Sequence, residues 1–150
     1  MKYHQTFGNV MRCAVTSFFV LIGAGGAGVA LADTPSDTQQ VITHHMQMIN
    51  DTNLQGVLDD YASDAVVITA MGLTQGAAAL RQMFTRVIRP GRAPLIIQRR
   101  FYKGDIGYVG WVQNAGKSDE LHGSDTFQVR DGKIATQIVI IVNRRATAGR

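Results

Sequence analysis

Residues 123–134, GSDTFQVRDGKI, constrain the fold of this chain more than any other segment. The segment alternates polar and apolar residues up to Arg130, turns at Asp131-Gly132, and continues into the β-branched run IATQIVIIV. Asp-Gly between two such runs is a strong signal for a β-hairpin. The pattern therefore predicts two antiparallel strands, and it places Asp125 in register with Phe127 and Val129 on an apolar face.

The turn sequence RDGK is compatible with two registers of this hairpin. A two-residue Asp-Gly turn places Asp125 and Phe127 on the same face as Thr136 and the even-numbered residues that follow it. A three-residue loop with Gly132 in a left-handed bulge pairs that face with Gln137 and the odd-numbered residues instead. Both faces of the last strand are apolar, so the pattern leaves the register open. A strand that is apolar on both sides also predicts that its outer face is covered by a second subunit.

The first 32 residues have the order of a secretory signal peptide. Lys2 and Arg12 give a positive start, a run of small and apolar residues follows at 13–32, and Ala30-Leu31-Ala32 resembles a cleavage site. The competing interpretation is a membrane anchor, since 20 residues are enough to cross a bilayer. Four glycines weaken the hydrophobicity of that run, so we predict cleavage, export to the periplasm or the medium, and no stable membrane span afterwards.

Cleavage after Ala32 leaves a chain of 118 residues, 33–150, without the single cysteine, Cys13. Disulfides then cannot stabilise the exported protein, and a hydrophobic core has to do so. The 15 basic residues fall to 13 against 11 acidic ones, a net charge of +2. This balance gives little support for binding nucleic acid, and we expect no nucleic-acid partner.

Three helices are predicted in the first part of the exported chain. The first has Thr34 as N-cap and Pro35 at its first helical position, and it runs to about Asn50. The second is capped by Thr52 or Asn53. The third follows Gly76 and ends at Pro90-Gly91. Their apolar faces follow the i, i+3, i+4, i+7 pattern, and they are formed by Ile42, His45, Met46 and Ile49, by Leu54, Val57, Leu58 and Tyr61, and by Leu80, Met83, Phe84 and Val87.

The rest of the chain is predicted as strands: one at 65–71 between the second and third helices, then 95–102, 106–113 and the hairpin. The tail at 143–150, NRRATAGR, is predicted to be flexible and is given no role. Helices followed by a long meander indicate the α+β class, with one curved antiparallel sheet wrapped around three helices.

Three segments in this order resemble the SnoaL-like branch of the nuclear transport factor 2-like superfamily, which includes ketosteroid isomerases, polyketide cyclases and small dehydratases. They are NLQGVLDDYASDAVVITAMG, the helix opened by GAAALR, and GSDTFQVRDGKIA. The resemblance covers residues 36–142 and defines a SnoaL-like domain at 33–142. It implies a cone-shaped, cystatin-like fold with a deep apolar cavity, and homodimers through the outer sheet face.

The same resemblance suggests roles for individual residues. Asp125 lies where ketosteroid isomerases carry the protonated acid of the oxyanion hole, and His45 lies where they carry a tyrosine donor. Thr69 replaces their general base, an aspartate, so steroid isomerase activity is not expected. The residues expected to line the cavity are Met83, Phe84 and Phe127, together with Gln137 if the bulged register holds.

Asp125 and His45 are the candidate catalytic residues. In an apolar cavity the pKa of an aspartate rises, and a neutral carboxyl can donate a hydrogen bond to developing negative charge. His45 would be its partner base across the cavity, whereas a histidine among apolar neighbours is by itself more typical of the core. Tyr61 either offers a hydroxyl to the substrate or simply packs in the apolar stripe.

The remaining polar residues suggest no metal or cofactor. His44 and His45 are adjacent and are expected to point apart, and no His or Cys cluster exists. Five arginines form a candidate basic patch that is either a solvated rim or an attractor of anionic ligands: Arg86, Arg89, Arg92, Arg99 and Arg100.

The sequence therefore predicts an exported protein that binds a small apolar or aromatic molecule. As an enzyme it would be a cofactor-independent isomerase, cyclase, dehydratase or lyase. The alternative is a non-catalytic periplasmic ligand-binding or protein-interaction module, which the threonine at position 69 favours.

Overall fold

The computed structural model describes residues 36–143, which form three helices and a six-stranded sheet. The predicted signal peptide at 1–32 lies outside the described residues, and so does the predicted tail apart from Asn143, which ends the last strand. The helices are α1 (Asp37–Asn50), α2 (Leu54–Asp59) and α3 (Ala77–Val87). The strands are β1 (Tyr61–Thr69), β2 (Gly72–Gln75), β3 (Ile96–Lys103), β4 (Ile106–Gln113), β5 (Leu121–Arg130) and β6 (Lys133–Asn143).

The predicted α+β class is confirmed, and the sheet itself is mixed. Its strand order is β2-β1-β6-β5-β4-β3, and β1 runs parallel to β6 while every other neighbouring pair is antiparallel. The sheet is curved. The short strand β2, which returns along β1 after a tight turn, was not predicted, because GLTQ is too short and polar to show an alternating pattern.

The first two helices begin at residues whose side chains accept a hydrogen bond from the first turn, and the sequence pattern predicted only the second of these N-caps. Ser36, not Thr34, is the N-cap of α1, and its hydroxyl accepts from the backbone N–H of Gln39 at 3.2 Å. The prediction that Pro35 takes the first helical position is therefore wrong, since the helix begins at Asp37. Asn53 caps α2 as expected, accepting from the backbone N–H of Gly56 at 2.9 Å.

One face of the sheet is covered by the helices. α1 packs against β4, β5 and β6, α3 packs against β1 and β2, and α2 lies against β1. The fully buried side chains of this core include Ile42, Val57, Val67, Leu80 and Phe127. Among the described residues, no helix is long and apolar enough to cross a bilayer.

The β5–β6 hairpin combines features of both predicted alternatives. Arg130 pairs with Lys133, so the turn has two residues, Asp131 and Gly132, and both have positive φ (51° and 69°), as a tight hairpin turn requires. The register then shifts, because Ala135 is an extra residue in β6 between the pairs that its neighbours make with β5. Phe127 consequently pairs with Gln137, which is the register predicted for a bulged loop although the bulge lies in the strand.

Candidate active site

A cavity of about 1180 Å³ opens between the inner face of the sheet and α3. Its wall is built from β1, β2, the C-terminal half of α3 and the loop that follows, and the inner faces of β4, β5 and β6. Of the residues predicted to line it, Thr69, Met83, Phe84 and Gln137 do so, and Asp125 lies on the same wall. The site is concave, and its wall combines apolar side chains with several charged and amide side chains. Such a cleft is typical of small-molecule binding.

Asp125 is held in place by its position in the middle of the sheet. It pairs with Val109 of β4 on one side and with Val139 of β6 on the other, and only 4% of its surface is exposed. The indole N–H of Trp111 donates to Oδ2 at 2.5 Å, and the amide of Gln137 donates to Oδ1 at 2.8 Å. Each carboxyl oxygen is therefore fixed by one internal donor, which defines the direction in which the group faces.

Burial raises the pKa of Asp125 above its ordinary value, because the ionised form loses its hydration. The hydrogen bonds from Trp111 and Gln137, and the nearby charges of His45 and Arg92, act in the opposite direction without cancelling that effect. Both oxygens already accept a hydrogen bond, so the proton of the neutral carboxyl has to occupy a remaining lone pair. When Asp125 is protonated its side chain is a hydrogen-bond donor, and the raised pKa extends the protonated form to higher pH than in an exposed aspartate.

Trp111 reaches Asp125 because a glycine lies opposite it. Trp111 pairs with Gly123 on the adjacent strand, and a Cβ at position 123 would collide with the six-membered ring of the indole. The indole therefore lies across Gly123 and extends its N–H to the carboxyl two residues further along β5. Sequence reasoning missed this contact, although the alternation of Val109, Trp111 and Gln113 placed the indole on the face that carries Asp125.

A chain of buried hydrogen bonds continues from Gln137 away from the cavity. The hydroxyl of Tyr61 donates to Oε1 of Gln137, and it lies 3.4 Å from Nε2 of His45. Burial, followed by the charges of Asp125 and Asp60, raises the pKa of Tyr61 well above 10, so the phenol stays neutral and remains a donor. Tyr61 begins β1 and is not part of the second helix as predicted, because that helix ends at Asp59.

His45 lies at the far end of this chain. It is fully buried, with edge-on contacts to the rings of Tyr61, Phe127 and Phe84 at centroid distances of 5.2, 5.6 and 6.3 Å. Its Nδ1 is 3.4 Å from Oδ2 of Asp60, close enough for charge attraction but without hydrogen-bond geometry. His45 and Asp125, predicted to act as partners across the cavity, are connected through Tyr61 and Gln137, and no hydrogen bond joins the two side chains directly in the part of the chain that the structure describes.

Asp60 is a member of this cluster that sequence reasoning did not identify. Its Oδ1 is 2.8 Å from Nδ1 of His44, whose side chain is about half exposed, while its Oδ2 faces His45. The two adjacent histidines therefore reach one carboxylate, although they were expected to point apart. Among residues 36–143, no group of three or more His, Cys, Asp or Glu side chains is arranged to hold a metal ion.

Phe127 and Thr69 differ from their predicted surroundings. Phe127 is fully buried among the core residues, against the ring of His45, and does not line the cavity. Thr69 is at the rim, where its hydroxyl accepts from the backbone N–H of Met71 at 3.1 Å and closes the turn between β1 and β2. The Thr69 hydroxyl therefore has a structural partner within the turn.

Basic side chains surround the opening of the cavity. Arg86, Arg89 and Arg92 line it from the end of α3 and the loop that follows, and Lys117 lines it from the β4–β5 loop. Arg99 of the predicted patch is exposed on β3 and does not line the cavity, and the same is true of Arg100. The predicted patch is therefore divided, and only its first three arginines are part of the site.

Known structures share this fold at low sequence identity. An NTF2-like protein of unknown function from Burkholderia xenovorans has a TM-score of 0.62 and 14% identity, covering 71% of this chain and 84% of that one. The epoxide hydrolase/cyclase-like enzyme SalBIII, linked to pyran ring formation in the polyether salinomycin, has a TM-score of 0.60 and 14% identity, covering 70% and 90%. TerC, co-crystallised with polyporic acid, has a TM-score of 0.59 and 16% identity, covering 75% and 95%.

Comparison with curated proteins gives no match. The model of the SnoaL-like domain, by contrast, matches residues 42–137, which is more than half of the chain and includes every member of the hydrogen-bonded network from His45 to Gln137. This protein therefore belongs to the SnoaL-like domain family and has the NTF2-like fold.

Proposed function

We propose that this protein is an exported, cofactor-independent enzyme that uses Asp125 as an acid on a small apolar or aromatic substrate. The observation that carries the proposal is a buried carboxyl on the cavity wall, fixed by Trp111 and Gln137, whose pKa is raised by burial. Perturbed titratable groups in a cavity are typical of catalytic sites. Isomerisation, cyclisation, dehydration and related lyase reactions all need such an acid.

In this mechanism the neutral Asp125 donates its proton to a substrate oxygen, such as a carbonyl, an epoxide or a departing hydroxyl. The hydrogen bonds from Trp111 and Gln137 then stabilise the carboxylate that forms, because both oxygens already have donors in place. The carboxylate regains a proton from the group that the reaction acidifies. Met83 and Phe84 hold the apolar part of the substrate against the acid.

His45 acts in this proposal as a positioning residue. A proton passing from His45 to Asp125 would have to cross the side-chain amide of Gln137, which is a poor proton carrier because it holds its protons tightly. His45 instead holds the Tyr61 hydroxyl from one side while Gln137 accepts from it on the other. The network therefore fixes the orientation of Gln137, and with it the amide that faces Asp125.

Two of the similar structures support chemistry of this kind by analogy. SalBIII is described as an epoxide hydrolase/cyclase-like enzyme with a role in pyran ring formation, and TerC was crystallised with polyporic acid. Acid-assisted ring closure uses the substrate's own hydroxyl as nucleophile, so it requires an acid and a shaped cavity more than a separate strong base. The occupied hydroxyl of Thr69 fits this class better than steroid isomerisation.

The second candidate is a non-catalytic binding or protein-interaction module in the periplasm. The observation that favours it is the separation of His45 from the cavity, which leaves Asp125 without a neighbouring base. We also propose a homodimer through the outer sheet face, supported by exposed isoleucines at positions 68, 138 and 140.

Infrared spectroscopy of Asp125→Asn tests the acid directly. We expect the wild-type protein to retain the carbonyl band of a neutral carboxyl at pH values where exposed carboxyls have ionised. The band should be absent from Asp125→Asn and unchanged in Asp119→Asn, which removes the other acid of the cavity wall. An identical band in Asp125→Asn would contradict the proposal.

Turnover separates the two candidate functions. A screen of aromatic hydroxy-epoxides and β-hydroxy ketones by liquid chromatography with mass detection, which separates a cyclised product from its isomeric substrate, should find cyclisation or dehydration that Asp125→Asn loses and Asp119→Asn keeps, at an unchanged melting temperature. Binding of these compounds without turnover would favour the non-catalytic module.

A further inference from the structure

The charged residues on the cavity wall are unbalanced. Four are basic (Arg86, Arg89, Arg92 and Lys117), and the two acidic ones are Asp119 and Asp125. Asp125 tends toward its neutral form because burial raises its pKa. Asp119 lies at the rim, where Oδ2 accepts from the amide of Asn114 at 2.9 Å. An otherwise apolar cavity therefore carries an excess of positive charge at its opening.

Arg92 is the basic residue that reaches furthest into the protein. It is half-buried in the loop after α3, where its backbone N–H donates to the carbonyl of Arg89 at 3.3 Å. Burial lowers the pKa of its guanidinium, and the charge of Asp125 acts in the opposite direction, so the group is both partly desolvated and near the acid. Arg86, Arg89 and Lys117 are exposed by comparison.

The guanidinium of Arg92 has no hydrogen-bonded partner in the part of the chain that the structure describes, although Asp125 acts on it electrostatically. Within residues 36–143, its side chain makes no hydrogen bond or ion pair, whereas the polar side chains deeper in the cavity, on Trp111, Asp125 and Gln137, are all bonded. A partly buried charge without a partner is unfavourable, and a ligand that supplies an anionic group would remove that cost.

We propose that the cavity selects apolar or aromatic carboxylates, whose carboxylate pairs with Arg92 while the body of the molecule lies against Met83 and Phe84. This proposal names the substrate class and rests on the proposed function of the same cavity. The planar guanidinium matches the two oxygens of a carboxylate with two parallel hydrogen bonds. The oxygen that reacts at Asp125 is then a second group on the same molecule.

Calorimetric titration of the full-length chain with three probes tests this selectivity. The probes are 2-naphthoate, its neutral amide 2-naphthamide, and 2-naphthyl phosphate. We expect 2-naphthoate to bind about tenfold more tightly than 2-naphthamide or better, the difference typical of a hydrogen bond to a charged group. Tighter binding of the phosphate than of 2-naphthoate would overturn the assignment to carboxylates.

Variants of Arg92 test whether the preference for the carboxylate probe depends on this side chain. Arg92→Gln should abolish the preference for 2-naphthoate while leaving the affinity for 2-naphthamide unchanged. Arg92→Lys should retain part of the preference, because lysine keeps the positive charge but lacks the two parallel N–H donors of the guanidinium. Arg130→Gln is the matched control, since Arg130 is exposed beside the hairpin turn and does not line the cavity. It should leave both affinities unchanged.

The outcomes separate this inference from the proposed function. Equal binding of 2-naphthoate and 2-naphthamide, or equal weakening of both by Arg92→Gln, overturns the inference alone. Loss of the preference in Arg130→Gln also overturns it, because a diffuse positive field would then explain the selectivity. Absence of binding by all three probes overturns the apolar cavity as a ligand site. Asp125→Asn should keep the preference for 2-naphthoate even if the acid has no catalytic role.

Discussion

The two faces of β6 have opposite characters. On the inner face, Gln137 is polar and only 2% exposed, and its amide joins Tyr61 to Asp125. On the outer face, Ile140 is apolar and 57% exposed, and Ile138 is 40% exposed. The hydrophobicity of a residue in this strand therefore does not predict whether its side chain faces the core or the outer surface. Gln137 is buried and bonded on both sides, which is typical of a site, and the exposed isoleucines are the basis of the proposed homodimer surface.

The largest expected contrast is between Phe127→Ala and Ile140→Ala. Phe127 is fully buried, so its truncation should lower the free energy of unfolding by about 3–5 kcal/mol. Ile140→Ala should change the stability of the monomer by no more than about 0.5 kcal/mol. Urea denaturation at low protein concentration measures both. Similar losses in the two variants would show that the outer face is buried in the monomer.

Gln137→Leu removes the polar centre of the inner face while keeping its approximate volume. The Tyr61 hydroxyl and one oxygen of Asp125 each lose a partner, so we expect a loss of about 1–3 kcal/mol for each buried group left unsatisfied. Chemical denaturation measures the loss, and Thr136→Val, a neighbouring change on the other face, is the control. A more stable Gln137→Leu protein would mean that the network serves function at the expense of stability.

Gly123→Ala tests whether the indole of Trp111 has to lie across the strand. The added Cβ collides with the ring, so we expect a loss of about 1–3 kcal/mol and a displaced Trp111. The intrinsic tryptophan fluorescence should shift, since this is the only tryptophan in the chain. Gly116→Ala is the contrasting change, because position 116 has open space around it but a φ of +75°, so its cost is backbone strain without a change in fluorescence.

The smallest effect is a change in the pH dependence of stability. Because burial raises the pKa of Asp125, the folded protein binds a proton more tightly than the unfolded chain does. The stabilisation is therefore complete below the ordinary carboxyl pKa of 3.8 and is lost as the pH rises through the folded value. Relative to Asp125→Asn, the wild-type protein should lose stability across this window in pH-dependent denaturation. A parallel pH profile in the two proteins would show that the carboxyl is not desolvated.

The sequence predicted the elements of the fold better than their exact pairing. The hairpin turn, the third helix after Gly76 and the β4 boundaries follow local rules of turn chemistry and periodicity, and the structure has them in those places. The parallel pairing of β1 with β6 depends on tertiary packing, which no local pattern encodes. Tyr61 matched the helical stripe at i+7 by coincidence, because the helix ends two residues earlier.

The candidate site shows the same division between local and tertiary information. Asp125 was placed on an apolar face by alternation, which is a local signal. Gln137 could not be placed, because its face depends on the extra residue in β6. Asp60 was missed as a member of the buried network because it lies in the turn between α2 and β1, whose direction is set by the surrounding packing. Arg92 was predicted only as one of five arginines in a basic patch, and the sequence did not distinguish it from the others.

The extra residue at Ala135 determines which side chains of β6 face the cavity and which face outward. An in-frame insertion of one residue between Ile134 and Gln137, with the bulge still one residue long, would turn Gln137 toward the outer face and place Ile138 opposite Asp125. The catalytic candidate and the apolar outer surface would be lost in one genetic event, although neither Asp125 nor any isoleucine had been mutated. Loss of Ala135 would leave Gln137 opposite Phe127, because only the bulge would disappear, whereas one added residue exchanges the two faces of the strand.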